Sequence, residues 1–254
     1  MNICLFSKEE INKPLDAFDE RAIHLDKVLH KNVGDTFNCG VINGKAGIAT
    51  ITKMTEVFNE KSQKIQRGFE FTFEATNDGK LLNPLVLIVG FVRPIQLKRA
   101  MRDAAGLGVK EVHLTCTELT EKSYINSKMV QEDEVSKFLL DGTIQAASTH
   151  VPKVFYHNSL NECIESVNSS CINFTKILLD NIKAKSGLQN FLIQKKPSSV
   201  VAAIGSERGW TDNERNLFIE KGFTLCSMGE RVLRTETALT VSTSIILSNM
   251  NLLN

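Results

Sequence analysis

The chain has 254 residues, 42% of them hydrophobic, enough for one large core or two unequal domains. Its 30 basic and 29 acidic side chains nearly cancel, so no global field draws it to nucleic acid or membrane, and any RNA contact must come from a local patch. Six scattered cysteines form neither a C-x-x-C pair nor a zinc-ligand spacing, so they read as reduced, mostly buried thiols with no metal. Residues 1–8 lack a signal-peptide pattern and no run reaches the ~18 apolar residues of a membrane span, which makes the cytoplasm the expected compartment.

In chain order, residues 36–42 and 48–52 are β-rich and flank Asn43-Gly44, a pair that takes positive φ at low cost and predicts a hairpin turn. Residues 68–73 alternate apolar and polar as a half-buried strand does. Residues 1–76 thus form a small β-rich domain, and the turn formers at 76–80 make a linker to a second domain over 77–254. Beyond it, apolar runs at 85–89, 109–116, 151–156, 177–179, 200–204 and 223–227 alternate with helix-like stretches, the rhythm of a mostly parallel sheet with helices on both faces. The first crossover helix has Pro94 in its first turn, an apolar face of Leu97, Ala100, Met101, Ala104 and Ala105, and a basic face of Lys98, Arg99 and Arg102. With Arg93 and Lys110 these basic groups make a local surplus able to meet phosphates, or simply a solvated face.

Two segments near the carboxyl end carry chemistry. In the first, the buried strand 200–204 enters the loop Gly205-Ser206-Glu207-Arg208-Gly209-Trp210. Thr211 and Glu214 then make a capping box opening a helix over 212–221, which Gly222 closes. Glycines admit a ligand close to backbone, and a helix start offers unpaired N–H groups; an ordinary turn is the plain alternative. Trp210 reads as a packing anchor beside that loop. In the second segment, Met228-Gly229-Glu230-Arg231-Val232-Leu233-Arg234-Thr235-Glu236-Thr237-Ala238 crowds charge and hydroxyls between a short strand and an apolar helix over about 238–247. Polar density at a strand end suits a ligand crevice, and it equally suits a helix cap.

These two segments resemble the signatures of the RsmE family of ribosomal RNA methyltransferases. Residues 228–238 are similar to L-G-x-R-[IV]-L-R-T-E-T-A, and residues 204–214 to I-G-P-E-G-G-[FWL]-[ST]-x-x-E, in the same order and at the expected separation. His24-Leu25-Asp26-Lys27-Val28-Leu29-His30, with Val33-Gly34-Asp35, resembles H-[IL]-x-x-V-L-R…G-D; Leu107-Gly108-Val109, and Gln145 with Val151-Pro152, match further pieces.

The resemblance implies an α/β, trefoil-knotted methyltransferase domain of the SPOUT class behind a PUA-like β-barrel. It implies S-adenosylmethionine as cofactor, N3 of a uridine in 16S ribosomal RNA or the small ribosomal subunit as target, and a homodimer. Carried over residue by residue, Ile204, Gly205, Glu207, Gly209, Met228, Gly229, Val232, Leu233, Thr235 and Thr237 hold the cofactor. Arg234 and Glu236 are the candidate catalytic pair, and His24, Lys27, Arg93, Lys98, Arg99, Arg102 and Arg208 meet RNA.

The chain departs from the pattern at Ser206 (proline in the family), Arg208 (glycine), Gly106 (glutamate) and residues 144–149, where a basic residue is lost. These departures keep two alternatives open: a catalytically diverged RNA-binding or ribosome-assembly relative, and a methyltransferase with another RNA target.

Overall fold

The computed structural model describes residues 2–60 and 63–253. It divides into two compact units, Met1–Leu81 with Thr143–Val151, and Leu82–Gly142 with Pro152–Asn254. The single break expected after residue 76 leaves 143–151 with the second part. Hydrogen bonds instead tie that segment to the first: Asn43 N–H donates to Thr149 O at 2.8 Å, Val151 N–H to Asn43 Oδ1 at 2.9 Å, and Thr149 Oγ1 to Gly44 O at 2.7 Å.

The amino-terminal unit contains β1 (Cys4–Phe6), α1 (Glu20–Lys27), β2 (Thr36–Val41), β3 (Ala46–Asn59) and β4 (Lys64–Asn77). The strands form one sheet in the order β1-β2-β3-β4, with β1 parallel to β2 and the other pairs antiparallel. Among the described residues no pairing joins β4 back to β1, so a closed barrel is not formed by the strands; α1 covers the core instead, inserting Ala22 and Leu25 against Phe6, Phe37, Ile51, Phe69 and Phe71. Asn43, at φ +56°, makes the expected turn between β2 and β3.

The second unit runs β5 (Asn83–Gly90), α2 (Pro94–Gly106), β6 (Val109–Thr115), α3 (Lys122–Ile125), α4 (Glu132–Gln145, its last turn counted with the first unit), β7 (Lys153–His157), α5 (Leu160–Ser170), β8 (Thr175–Leu179), β9 (Ser186–Gly187), α6 (Leu188–Lys195), β10 (Val200–Ile204), α7 (Asp212–Glu220), β11 (Thr224–Ser227) and α8 (Thr235–Asn249). Its seven strands are all parallel, in the order β7-β6-β5-β10-β8-β11-β9. Central strands covered on both faces must be apolar throughout, and β5 from Leu85 to Val89 and all of β10 are buried. Alternate residues Val86, Ile88, Val201 and Ala203 pack with α5, Trp210 and Phe218, so their neighbours Leu85, Leu87 and Ala202 face the other side. There α8 packs against both α2 and α6. Each fully buried Leu, Ile or Val contributes roughly 1.5–3 kcal/mol.

Two helix ends place the candidate site. The Thr211–Glu214 capping box is formed, and Gly222 at φ +88° follows the end of α7. Helix α8 begins at Thr235 rather than near 238, because Arg234 already occupies the extended N-cap position and Ala238 N–H donates to Arg234 O at 2.7 Å. Among the described residues no helix is long and apolar enough to cross a membrane.

Candidate active site

Loops leaving the carboxyl ends of the adjacent strands β5, β10, β8 and β11 wall a cavity of about 600 Å³. Parallel sheets place ligands at this end, because the loops there are free to vary while the strands hold them in position. The volume lies within the ~300–1,000 Å³ of small-molecule sites.

The loop after β10 is a tight turn in which Gly209 N–H donates to Ser206 O at 2.9 Å and Gly209 takes φ +70°. A Cβ on Gly205 would come within 3.1 Å of Gly209 Cα, so backbone packs on backbone where a ligand can approach. The Ser206 hydroxyl is buried in the wall with no hydrogen-bond partner among the described residues, and such a group calls for a ligand donor or acceptor. Glu207 is turned toward the end of β5, its Oε1 accepting Arg93 N–H at 2.8 Å. The loop after β11 turns at Gly229 (φ +107°) and presents Met228, Leu233 and Arg234 to the cavity.

The third wall, residues 179–182 after β8, is fastened from both neighbours. Trp210 Nε1 donates to Leu179 O at 3.2 Å, Asp180 N–H donates to Cys226 O at 3.0 Å, and Arg215 Nε donates to Asp180 Oδ2 at 2.7 Å. The Asp180 and Arg215 side chains are only 1% and 5% exposed. Burial alone would raise the Asp180 carboxyl; hydrogen bonds from Lys183 and Ile182 backbone and from Arg215 outweigh it and hold the group below its ordinary value. Trp210 packs edge-on against Phe218 with centroids 4.9 Å apart, the anchor expected of it.

Of the residues assigned to the cofactor, Ile204, Gly205, Glu207, Gly209, Met228, Gly229, Val232, Leu233 and Thr235 line this cavity. Thr237 does not and is exposed, since two residues along a helix of 3.6 residues per turn carry it round to another side. Arg234 lines the cavity, whereas Glu236 lies outside it, half-buried in the first turn of α8, with Oε2 buried and without a hydrogen-bond partner among the described residues. Arg93 and Arg208 are in the wall; Lys98, Arg99 and Arg102 are not. Lys98 Nζ sits 5.2 Å from the centre of the Phe138 ring, and Arg102 pairs with Asp141. His24 and Lys27 stand on α1 in the amino-terminal unit, Lys27 paired with Asp26 at 2.6 Å.

Sequence reasoning did not single out Gln96, Cys226, Arg231, Ala238 or the wall from Leu179 to Ile182. Asp180-Asn181, polar residues ending a buried strand, carry the same signal that marked the other two loops; Gln96 carries none. Elsewhere, His113 Nδ1 and His157 Nε2 lie 2.9 Å apart with the Cys163 sulfur close by, all buried. These two nitrogens satisfy one another, His113 Nε2 is buried without a hydrogen-bond partner among the described residues, and burial pushes the thiol up to about 12, so this group is a core histidine pair beside a protonated thiol.

Comparison with known proteins bears on what this cavity serves. A family model described as an RNA methyltransferase domain matches residues 80–247. The chain is 37% identical over 259 aligned residues to a ribosomal RNA small subunit methyltransferase E from Treponema pallidum, covering 98% of this chain and 91% of that protein. It is 32% identical to ribosomal RNA small subunit methyltransferase E 1 of Borreliella burgdorferi, covering 97% of each. Among solved structures, a ribosomal RNA small subunit methyltransferase E from Neisseria gonorrhoeae bound to S-adenosyl methionine superposes with a TM-score of 0.72 at 20% identity, covering 98% of this chain and 97% of that one; at that identity the likeness speaks for the fold.

Proposed function

Because the chain belongs to the ribosomal RNA small subunit methyltransferase E family, we propose that it transfers the methyl group of S-adenosylmethionine to N3 of a uridine in 16S ribosomal RNA. The observation that carries this reading is the convergence of residues 204–210 and 228–235 on one cavity at the carboxyl end of a parallel sheet.

The cavity suits the cofactor. Ile204, Leu179, Met228 and Leu233 offer apolar surface for an adenine, backbone of both loops is available for its polar edges, and the Ser206 hydroxyl awaits a partner. When bound, the cofactor supplies an electrophilic methyl group on a sulfonium. The work left to the protein is to aim a uracil N3 at that methyl and to favour its deprotonated form, and positioning is the larger part. Arg234, which lines the cavity wall, stabilises negative charge on a uracil carbonyl as N3 loses its proton. Glu236, in the first turn of α8 and outside the wall, acts as proton acceptor only if its carboxylate turns inward; otherwise it supports the helix start.

The amino-terminal unit is read as a PUA-like module that grips RNA through α1, with His24 and Lys27. The chain beyond β11 is read as threading back into a trefoil knot, supported by the packing of α8 against α2, α6 and β10. A homodimer acting on the small subunit in the cytoplasm completes the reading. The test is methyl transfer from labelled cofactor to small-subunit particles from cells lacking the gene, with mass mapping of the product. One new methyl on a uridine N3 is expected. A purified protein that shows no cofactor binding by calorimetry overturns the proposal.

A further inference from the structure

A second cavity, of about 280 Å³, adjoins the first, and Arg93, Gln96, Glu207 and Arg208 line both. Its remaining wall is Leu119, Glu121 and Tyr124, from the segment that follows β6. The shared wall makes the two spaces neighbours, and the smaller one sits at the lower edge of the ~300–1,000 Å³ range, room for a single nucleotide and too little for a second large cofactor. Its chemistry is mixed in an informative way. Tyr124 offers a half-buried aromatic ring beside the apolar Leu119. Arg208 is paired with Glu121 at 3.8 Å with 68% of its side chain exposed, and Arg93 shares the same wall with Tyr124. Between the two spaces, Gln96 Oε1 is buried with no hydrogen-bond partner among the described residues. A buried amide oxygen without a donor is a standing cost, relieved when a ligand brings an N–H or O–H to it.

Resting on the function proposed above, we infer that this side cavity seats the nucleotide to be methylated. Tyr124 is the platform on which the base stacks, Arg93 and Arg208 take its phosphate, and Gln96 accepts a hydrogen bond from it. An unstacked base needs an aromatic face and a charge for its backbone, and single-stranded RNA is recognised in this way. The Glu121 carboxylate keeps the Arg208 guanidinium at the cavity until a phosphate competes for it, and Glu207 fixes the backbone at Arg93 by accepting its N–H.

The test uses the full-length protein in two measurements. In the first, saturation-transfer NMR follows millimolar uridine 5′-monophosphate with the cofactor-loaded parent and with Tyr124→Ala, Gln96→Ala and Arg208→Gly. In the second, steady-state methyl transfer to small-subunit particles gives KM for RNA separately from cofactor affinity by calorimetry. Binding of the nucleotide by the parent, its loss in the variants, and a rise of at least tenfold in KM for RNA are expected, with cofactor affinity within twofold in Tyr124→Ala, whose residue lines the smaller cavity and not the larger. The subsite is overturned if the variants bind the nucleotide and turn over RNA like the parent, or if their losses follow cofactor affinity alone. A parent that transfers no methyl yet binds the nucleotide through these residues removes the proposed reaction and leaves the nucleotide site standing.

Discussion

Replacing Arg215 by Met keeps the aliphatic stem of the side chain and deletes its charge. Asp180 then remains 1% exposed, with only the backbone N–H groups of Ile182 and Lys183 as partners. Leaving one member of a buried ion pair uncompensated costs about 3–5 kcal/mol, and the two surviving hydrogen bonds place this case near about 3. For a chain of this size each kcal/mol moves Tm by roughly 2–4 °C, so Arg215→Met should melt about 6–12 °C below the parent. The pH dependence supplies an independent sign. In the parent the Asp180 carboxyl lies below its ordinary value, so the stability it contributes is present above the unfolded pKa of ~3.9 and lost as pH falls through the lower folded value. Without Arg215, burial raises the carboxyl, and the deficit of the variant is largest at neutral pH and shrinks toward pH 4. The double variant Asp180→Asn/Arg215→Met removes the stranded charge and should recover about 2 kcal/mol. Urea denaturation of the three proteins at pH 7.5 and pH 4.5 reads all of this. The same reasoning predicts weaker cofactor binding in Arg215→Met, because the wall at 179–182 loses one of its three fastenings. A loss below about 1 kcal/mol at pH 7.5, or a double variant no more stable than the single, refutes it.

Gly90→Ala should weaken cofactor binding at least tenfold and destabilise by about 1–3 kcal/mol, because its Cβ would lie 2.8 Å from Ser206 N, a backbone atom that cannot swing away; calorimetry and melting check it. Thr211→Ala removes one half of the capping box and should cost about 1 kcal/mol, seen as a drop of roughly 2–4 °C in Tm. His113 is 2% exposed and, through burial and the adjoining His157, is held below the usual histidine range, at about 4. A depressed folded value means full stability above the unfolded pKa of ~6.5 and loss as pH falls from there toward 4, on the order of 3 kcal/mol; a flat denaturation profile across that window counts against it. Arg234→Ala should lower kcat about 100-fold with cofactor affinity little changed, and parallel losses in both would instead make Arg234 a cofactor contact.

The legible parts of this chain are those whose cause is local. The Asn43 turn, the Thr211–Glu214 box and the uniformly apolar β5 and β10 each follow from a few adjacent residues whose conformation has one cheap solution. Strands β3 and β4 are different: alternation marked 35–54 and 68–73, yet the ladder runs from Ala46 to Asn59 and from Lys64 to Asn77. The outer half of that ladder is largely solvent-exposed, so its strand geometry is dictated by cross-strand hydrogen bonds and leaves no apolar period to read. The same limit governs the site. Motif-bearing loops declared themselves because glycine, a helix cap and dense charge coincide in sequence. Gln96 sits in the first turn of an amphipathic helix and looks like any solvated position there; only the spatial arrival of Glu207, Arg208 and Tyr124 makes its buried oxygen a binding group. A residue that acquires its role from neighbours far along the chain is invisible to periodicity. The hypothesis of an RNA subsite therefore rests on the structure, whereas the hypothesis of a cofactor cavity was already available from residues 204–214 and 228–238.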